Sequence, residues 1–283
     1  MNPQEQDNWT EVIKPDRPLF SLNLGELWRY RDLIFIFVRR DIVAVYKQTI
    51  LGPLWFVLGP IFTVITFTFV FNNIAGISTD GIPAPLFYLA GTTFWNYFQN
   101  SFTGTSTTFV ANAHIFGKVY FPRLSVPLSL VISNLLKFGI QMFIFAGFWA
   151  YYYAQGLIQV SWHLALTPLL ILLMAGIALG SGILISALTT KYRDLNHFIG
   201  FGVALLMYAS PVIYPVSSIP EMYRGILMAN PIAPVIEAFR FASTGSGTFS
   251  WVGLAYSSGF MVLVLWVGIA VFNNVERRFM DTV

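Results

Sequence analysis

Five stretches of this sequence carry no Asp, Glu, Lys or Arg at all. They lie between Lys47 and Asp80, Asp80 and Lys118, Lys137 and Lys191, Asp194 and Glu221, and Arg240 and Glu276. A helix needs about 20 mostly apolar residues to cross a hydrocarbon layer about 30 Å thick. The third stretch, 138–190, has room for two such helices, with a break at Gln155, Gly156, Gln159 and His163. The charge gaps therefore predict six spans, at about 53–74, 86–109, 128–152, 165–189, 195–214 and 252–274. Composition agrees: of 283 residues 56% are hydrophobic and 10% charged, with mean hydropathy +0.66. A soluble domain carries about 25% charged residues. These values exclude a disordered chain, a fibrous protein and an ordinary cytosolic enzyme. The expected fold class is an all-α polytopic membrane protein. Without cysteine, disulfides, thiolate metal sites and cysteine nucleophiles are excluded.

Cytoplasmic loops of membrane proteins carry an excess of Lys and Arg. Fourteen of the sixteen basic residues fall on one side of the six-span arrangement, and only Arg224 and Arg240 on the other. Both termini are therefore expected in the cytoplasm. Residues 1–32 are polar and lack the apolar core of a signal peptide, so none is expected before the first span. The net charge of +3 then serves topology, and no nucleic acid is expected as a partner.

Residues 1–20, with Pro3, Pro15 and Pro18, read as a flexible cytoplasmic tail, and 21–283 as a single transmembrane domain. From 22 to 35 the pattern is helical. Asn23 and Glu26 have capping spacing, and Leu24, Leu27, Trp28, Ile34 and Phe35 fall roughly on one face. This predicts an N-terminal amphipathic helix lying in the membrane interface. Two charged clusters follow. One is Arg39, Arg40 and Asp41 with Lys47; the other is His114, Lys118 and Arg123 around Pro122. Each either marks topology alone or contacts a cytoplasmic partner, and a short helix ending near Pro122 would fit the second.

The segment 214–251 is punctuated by Pro215, Pro220, Pro231 and Pro234. Ser218 and Glu221 have the spacing of a capping box opening a short helix. A second apolar helix, at about 231–242, sets Glu237 and Arg240 three residues apart, where they can pair. Neither helix is long enough to cross. The segment is either an external cap or a pair of short re-entrant helices between spans five and six, which would place them at a gate.

Ion-coupled carriers keep ionisable groups at membrane depth. The predicted span interiors contain no Asp or Glu, and Lys137 lies near a span end, where it can snorkel. His114, His163 and His197 fall in separate loops or span ends, so no clustered catalytic or metal site is expected. No phosphate loop occurs, so the chain is not expected to hold ATP in that way. No internal repeat divides the spans into matching halves, which weighs against a secondary transporter. Gly176 and Gly180 predict a close helix approach, within the chain rather than across a dimer seam. Gly245-Ser246-Gly247 reads as a turn.

Two rows of side chains remain. Trp55, Gly59, Phe62, Thr66, Phe69 and Asn73 share a face of span one, and Tyr88, Thr92, Trp95, Gln99 and Phe102 a face of span two. Aromatic rings beside neutral hydrogen-bonding groups suit sugars. The same residue types also form interface belts and helix packing.

The run from Arg39 to Trp55 (RRDIVAVYKQTILGPLW) resembles the start of ABC-2 type transporter permeases of the polysaccharide exporter family. Lys118-Val119-Tyr120-Phe121-Pro122-Arg123, Tyr192-Arg193-Asp194, Ser210 to Pro215 and Asn230-Pro231 follow in the family's order and spacing. The resemblance covers roughly residues 20–280 and is closest to the O-antigen, capsular polysaccharide and teichoic acid exporters. It implies a permease subunit of an ATP-driven exporter that moves a lipid-linked polysaccharide across the bacterial inner membrane. It also implies a homodimer with two cytoplasmic ATP-binding subunits, which carry ATP and Mg; the chain itself needs no cofactor. By the same resemblance, Arg39, Arg40, Asp41, Lys47, His114, Lys118 and Arg123 couple to the ATPase. Trp55, Phe62, Thr66, Phe69, Tyr88, Trp95, Tyr208 and Tyr214 are candidates for the substrate channel. Pro215, Pro220, Glu237 and Arg240 belong to the re-entrant gate. The alternatives are a multi-span membrane enzyme of glycan assembly and an ABC-2 exporter of a small lipophilic compound.

Overall fold

The computed structural model describes residues 24–47, 52–116, 118, 121–192 and 194–281. The expected tail and the cap at Asn23 lie outside them. Among the described residues the architecture is all-helical: α1 (Leu24–Arg29), α2 (Arg31–Tyr46), α3 (Trp55–Phe67), α4 (Ala84–Ser106), α5 (Thr108–Ala111), α6 (Ala113–Phe116), α7 (Ser125–Ala154), α8 (Thr167–Lys191), α9 (Leu195–Tyr208), α10 (Glu221–Met228), α11 (Ala233–Thr244) and α12 (Trp251–Asp281). Four helical runs are long and apolar enough to cross a membrane: Trp55–Ile74, Ser125–Ala154, Trp162–Thr190 and Trp251–Val275.

The other two expected spans differ from these four for separate reasons. Helix α4 has the length, but it is rich in Thr, Ser, Asn and Gln. It stands at the centre of the bundle, against α7, α8, α11 and α3. Every side chain from Leu86 to Trp95 is buried. Two of its hydroxyls are satisfied locally: Thr92 donates to the Tyr88 carbonyl at 2.7 Å, and Thr105 donates to that of Ser101. Helix α9 ends at Tyr208, six residues before the expected end. Pro211 disfavours helical backbone in the residue before it. The Asn230 amide donates to the Ala209 carbonyl at 3.1 Å and to the Ser210 hydroxyl at 2.7 Å, satisfying groups at the helix end.

Helices α8 and α12 form the closest seam. A Cβ on Gly176 would strike the Met261 side chain, and one on Gly180 would lie 2.7 Å from the Leu265 backbone nitrogen. Gly268 returns the contact: a Cβ there would lie 2.6 Å from the Gly180 carbonyl oxygen. The two glycines of span four therefore serve packing within the chain. Gly245 closes α11 in the left-handed conformation, with φ 74°.

Span one is the least buried of the four runs. Past Phe67 its winding widens into a π-helix over Thr68–Ile74, with the Ala75 amide reaching back to the Val70 carbonyl at 2.9 Å. The Ser218 hydroxyl donates to the Pro215 carbonyl and does not cap α10, which opens from Pro220; this corrects the capping-box reading. The N-terminal helix is also longer than expected. It continues through Arg39, Arg40 and Asp41 to Tyr46. Its buried face is Ile34, Phe37 and Val38, while Trp28 and Phe35 are exposed.

The seam gives a direct test. Gly180→Leu should lower the thermal unfolding midpoint of the detergent-purified chain, because overpacking against backbone costs about 1–3 kcal/mol or more. Gly200→Leu, at a glycine with open space around it, should leave the midpoint unchanged.

Candidate functional site

Three surfaces gather the residues singled out by the sequence. The first lies at the end of the bundle that holds α2, α5 and α6. Phe109, Phe116 and Phe121 bury their rings in one cluster with Phe37, Ile183, Ile269 and Phe272. Phe109 stacks on Phe272 at 4.4 Å, and Phe37 meets Phe121 at 5.8 Å. The Phe109 amide also donates to the Ser186 hydroxyl of α8 at 3.2 Å. The connector is thus pinned to the bundle by rings underneath, with His114 and Lys118 exposed above.

Arg39, Arg40 and Lys47 are likewise exposed, and Asp41 is half-buried in a 2.9 Å pair with Arg40. Arg123 is different. It is 4% exposed, with its guanidinium over the Phe116 ring at 5.4 Å. Little of it is therefore presented at the surface with His114 and Lys118. Helix α6 is described as far as Phe116, and positions 117, 119 and 120, on which the expected helix ending near Pro122 falls, lie outside the described residues.

The second surface is a pair of exposed faces. Trp55, Phe62, Thr66 and Phe69 of span one are all open. On α9, Phe198, Phe201, Leu205 and Tyr208 recur at spacings of three and four and are each more than half exposed. Only Tyr208 of that stripe was read from the sequence. Its helical spacing was the available signal. Tyr214 is half-buried, and its hydroxyl donates to the Tyr208 carbonyl. Contiguous apolar faces of this size mark contact with a partner, a ligand or lipid.

The row on span two behaves in the opposite way. Tyr88 and Trp95 are 0% and 1% exposed. Tyr88 packs edge-on against Phe67 and Phe87, and the Trp95 indole donates to Gln99 at 2.7 Å. Both are core residues of the bundle, and neither has surface to offer a channel. Periodicity identified the shared face but not what covers it.

The third surface is the segment between α9 and α12. Pro215 is buried and Pro220 exposed. Helix α11 is buried almost throughout, and it carries the expected ion pair: Arg240 Nη1 to Glu237 Oε1 at 3.0 Å, with the side chains 1% and 2% exposed. Arg240 Nη2 donates to the Val212 carbonyl at 2.8 Å, and its plane lies over the Phe87 ring at 3.7 Å. Glu237 Oε2 accepts from the hydroxyl and amide of Thr248, at 3.0 and 3.3 Å. A Cβ at Gly91 would lie 2.5 Å from Arg240 Nη2, so this position of α4 has room only for glycine. A further link joins the α3–α4 loop to this segment, where the Ser217 hydroxyl donates to Asp80 at 2.6 Å.

Removing one member of a buried ion pair costs about 3–5 kcal/mol, because the other charge is left uncompensated. Arg240→Met should therefore lower the unfolding midpoint of the purified chain more than Glu237→Leu combined with Arg240→Met. Equal losses in the two variants would count against a coupled pair.

The ABC-2 type transporter family profile matches residues 32–243, from α2 to the last turn of α11. Two O-antigen export system permease proteins named RfbA, from Klebsiella pneumoniae, are 28% and 29% identical over 260 residues, covering 92% of this chain and 96% of each relative. The RfbA protein of Myxococcus xanthus is 26% identical over 263 residues, covering 91% of this chain and 98% of the relative. The polysialic acid transport protein KpsM of Escherichia coli is 23% identical over 248 residues, covering 86% and 93%. The chain, a membrane-embedded transport subunit rather than an enzyme, belongs to the ABC-2 type transporter family.

Proposed function

We propose that this chain is the permease subunit of an ATP-driven exporter of a lipid-linked polysaccharide, most closely of O-antigen type. The carrying observation is the likeness to RfbA and KpsM, which extends over more than nine-tenths of each relative. Two copies would pair and recruit two ATP-binding subunits, which hold ATP and Mg. The open faces of span one and α9 support a route between the two copies, lined by Trp55, Phe62, Thr66, Phe69 and Tyr208, with Tyr214 at its end. Hydrophobic rings and a threonine hydroxyl offer a glycan both stacking surface and hydrogen bonds without binding it as a fixed charge would.

In this reading α4 and α9 complete six crossings within a single domain. Both termini face the cytoplasm of a cell bounded by a bacterial inner membrane. Helices α10 and α11 enter from the opposite side as the gate segment, and the Glu237–Arg240 pair anchors it. The connector supports the coupling role through its design: rings fix its underside to α8 and α12, so a push on His114 or Lys118 is transmitted to the bundle. ATP-driven closure of the partner subunits would move this connector and α2 together, because Phe37 and Phe121 are in contact.

The chain purified from its native membrane in mild detergent should carry an ATP-binding subunit at about one per chain, read by mass spectrometry. Lys118→Glu with Arg40→Glu should reduce that co-purification while leaving the permease folded. Recovery of the chain alone, or with glycosyltransferases only, would overturn this reading. Because the chain lacks cysteine, single cysteines introduced at Ser78 and His114 should be labelled from opposite sides of sealed vesicles. Labelling of both from one side would overturn the six-span arrangement.

A further inference from the structure

Two apolar clefts open beside span one. One, about 520 Å³, lies between Val57 of α3 and Ile140, Phe143, Gly147 and Tyr151 of α7. The other, about 370 Å³, lies beside Ile61, Val64 and Thr68 and reaches Leu89 of α4. Ile144 and Phe148 line both, so the two are contiguous. Their sizes fall in the range of ligand sites, about 300–1,000 Å³. Val57, Ile61, Val64 and Thr68 occupy a different sector of span one from Trp55, Phe62 and Thr66. The cleft therefore lies beside the face offered to a channel and meets it at Phe69.

Both walls are helices that cross the membrane by length and composition, so the cleft opens to hydrocarbon. One charged group stands in line with it. Lys137, Ile140, Ile144, Phe148 and Tyr151 are spaced three, four, four and three residues apart, a single stripe of α7. Lys137 lies one turn below the cleft, about 4.5 Å along the axis. Its ammonium donates to Asn134 at 2.9 Å, and the Asp41 carboxylate acts on it electrostatically. The same carboxylate pairs with Arg40 at 2.9 Å. Arg40 holds that carboxylate directly and Lys137 feels it only through its field, which leaves a net positive charge at the foot of an apolar slot. Charged groups at such depth are matched by a counter-charge.

The geometry points to a bound anionic phospholipid of the surrounding bilayer. One acyl chain would lie in the cleft between α3 and α7, with the phosphate against Lys137 and Arg40. This is a site for a lipid of the membrane itself, beside the path proposed for the cargo and bordering it at Phe69. Glycine at position 147 keeps the slot open: a Cβ there meets nothing within 4 Å. Gly259 of α12, outside the lining of either cleft, has the same freedom and serves as the control.

The full chain, delipidated in mild detergent, is titrated with dioleoyl phosphatidylglycerol and dioleoyl phosphatidylcholine and read by native mass spectrometry. One net positive charge should favour the anionic lipid about fivefold. Gly147→Phe should strip binding of both lipids, and Gly147→Leu repeats the block with a smaller group if the first variant unfolds. Gly259→Leu should bind as the parent does. Lys137→Gln should keep binding but lose the headgroup preference. Undiminished binding in Gly147→Leu would overturn the cleft as the site. Equal binding of the two lipids by the parent, or retention of only a glycan-bearing lipid, would overturn the assignment to an anionic phospholipid.

Discussion

A guanidinium with no access to water organises one half of this bundle. Arg240 satisfies its charge through Glu237, its second amino group through the Val212 carbonyl, and its flat face through Phe87. Each partner comes from a different part of the chain, so the arginine fixes α11 against α4 and against the turn that ends α9. The arrangement also dictates the glycine at 91. It explains how a segment too short to cross can remain buried. Its backbone is helical, its one carboxylate is used on both oxygens, and its terminal carbonyls meet Gln159 and Ser161 amides through Ala242 and Thr244.

The fold class was legible because charge gaps are an all-or-none signal, and the bilayer leaves few ways to satisfy a buried backbone. The i,i+3 pair at Glu237 and Arg240 and the packing role of Gly176 and Gly180 were legible because spacing alone determines which groups meet on a helix. Burial was harder to read. The rows on spans one and two look alike in sequence, yet Trp55 and Phe62 are open while Tyr88 and Trp95 are enclosed. The difference lies in the neighbours. Helix α4 is surrounded on all sides, and that depends on contacts distant in the chain. Arg123 differs from Lys118 in the same way: its guanidinium lies over the Phe116 ring, while Lys118 is exposed.

The connector and the segment near Arg240 are held by opposite strategies. Around α5 and α6 the contacts are aromatic rings, which have broad surfaces and no fixed hydrogen-bond directions, so small sliding costs little. Around Arg240 the contacts are directional and charged, and a shift of an ångström breaks several at once. Motion delivered to the charged rim of the connector would therefore spread through the helices it touches. It would meet its stiffest resistance at α11. The bundle joins a compliant end to a rigid one.

The π-helical turn at Thr68–Ile74 carries a consequence for how this span can change over generations. Such a turn holds one residue more than an α-helix needs. Losing a single codon there would restore ordinary winding without breaking the helix, and because the wide turn had absorbed that residue, the segment beyond it would keep its facing relative to the part before. Phe69 and Asn73, which edge the slot beside α4, lie within the wide turn itself, so the change would fall on them and their neighbours. A one-residue deletion in this turn is thus a route to a locally reshaped slot, with Trp55, Phe62 and Thr66 left where they are.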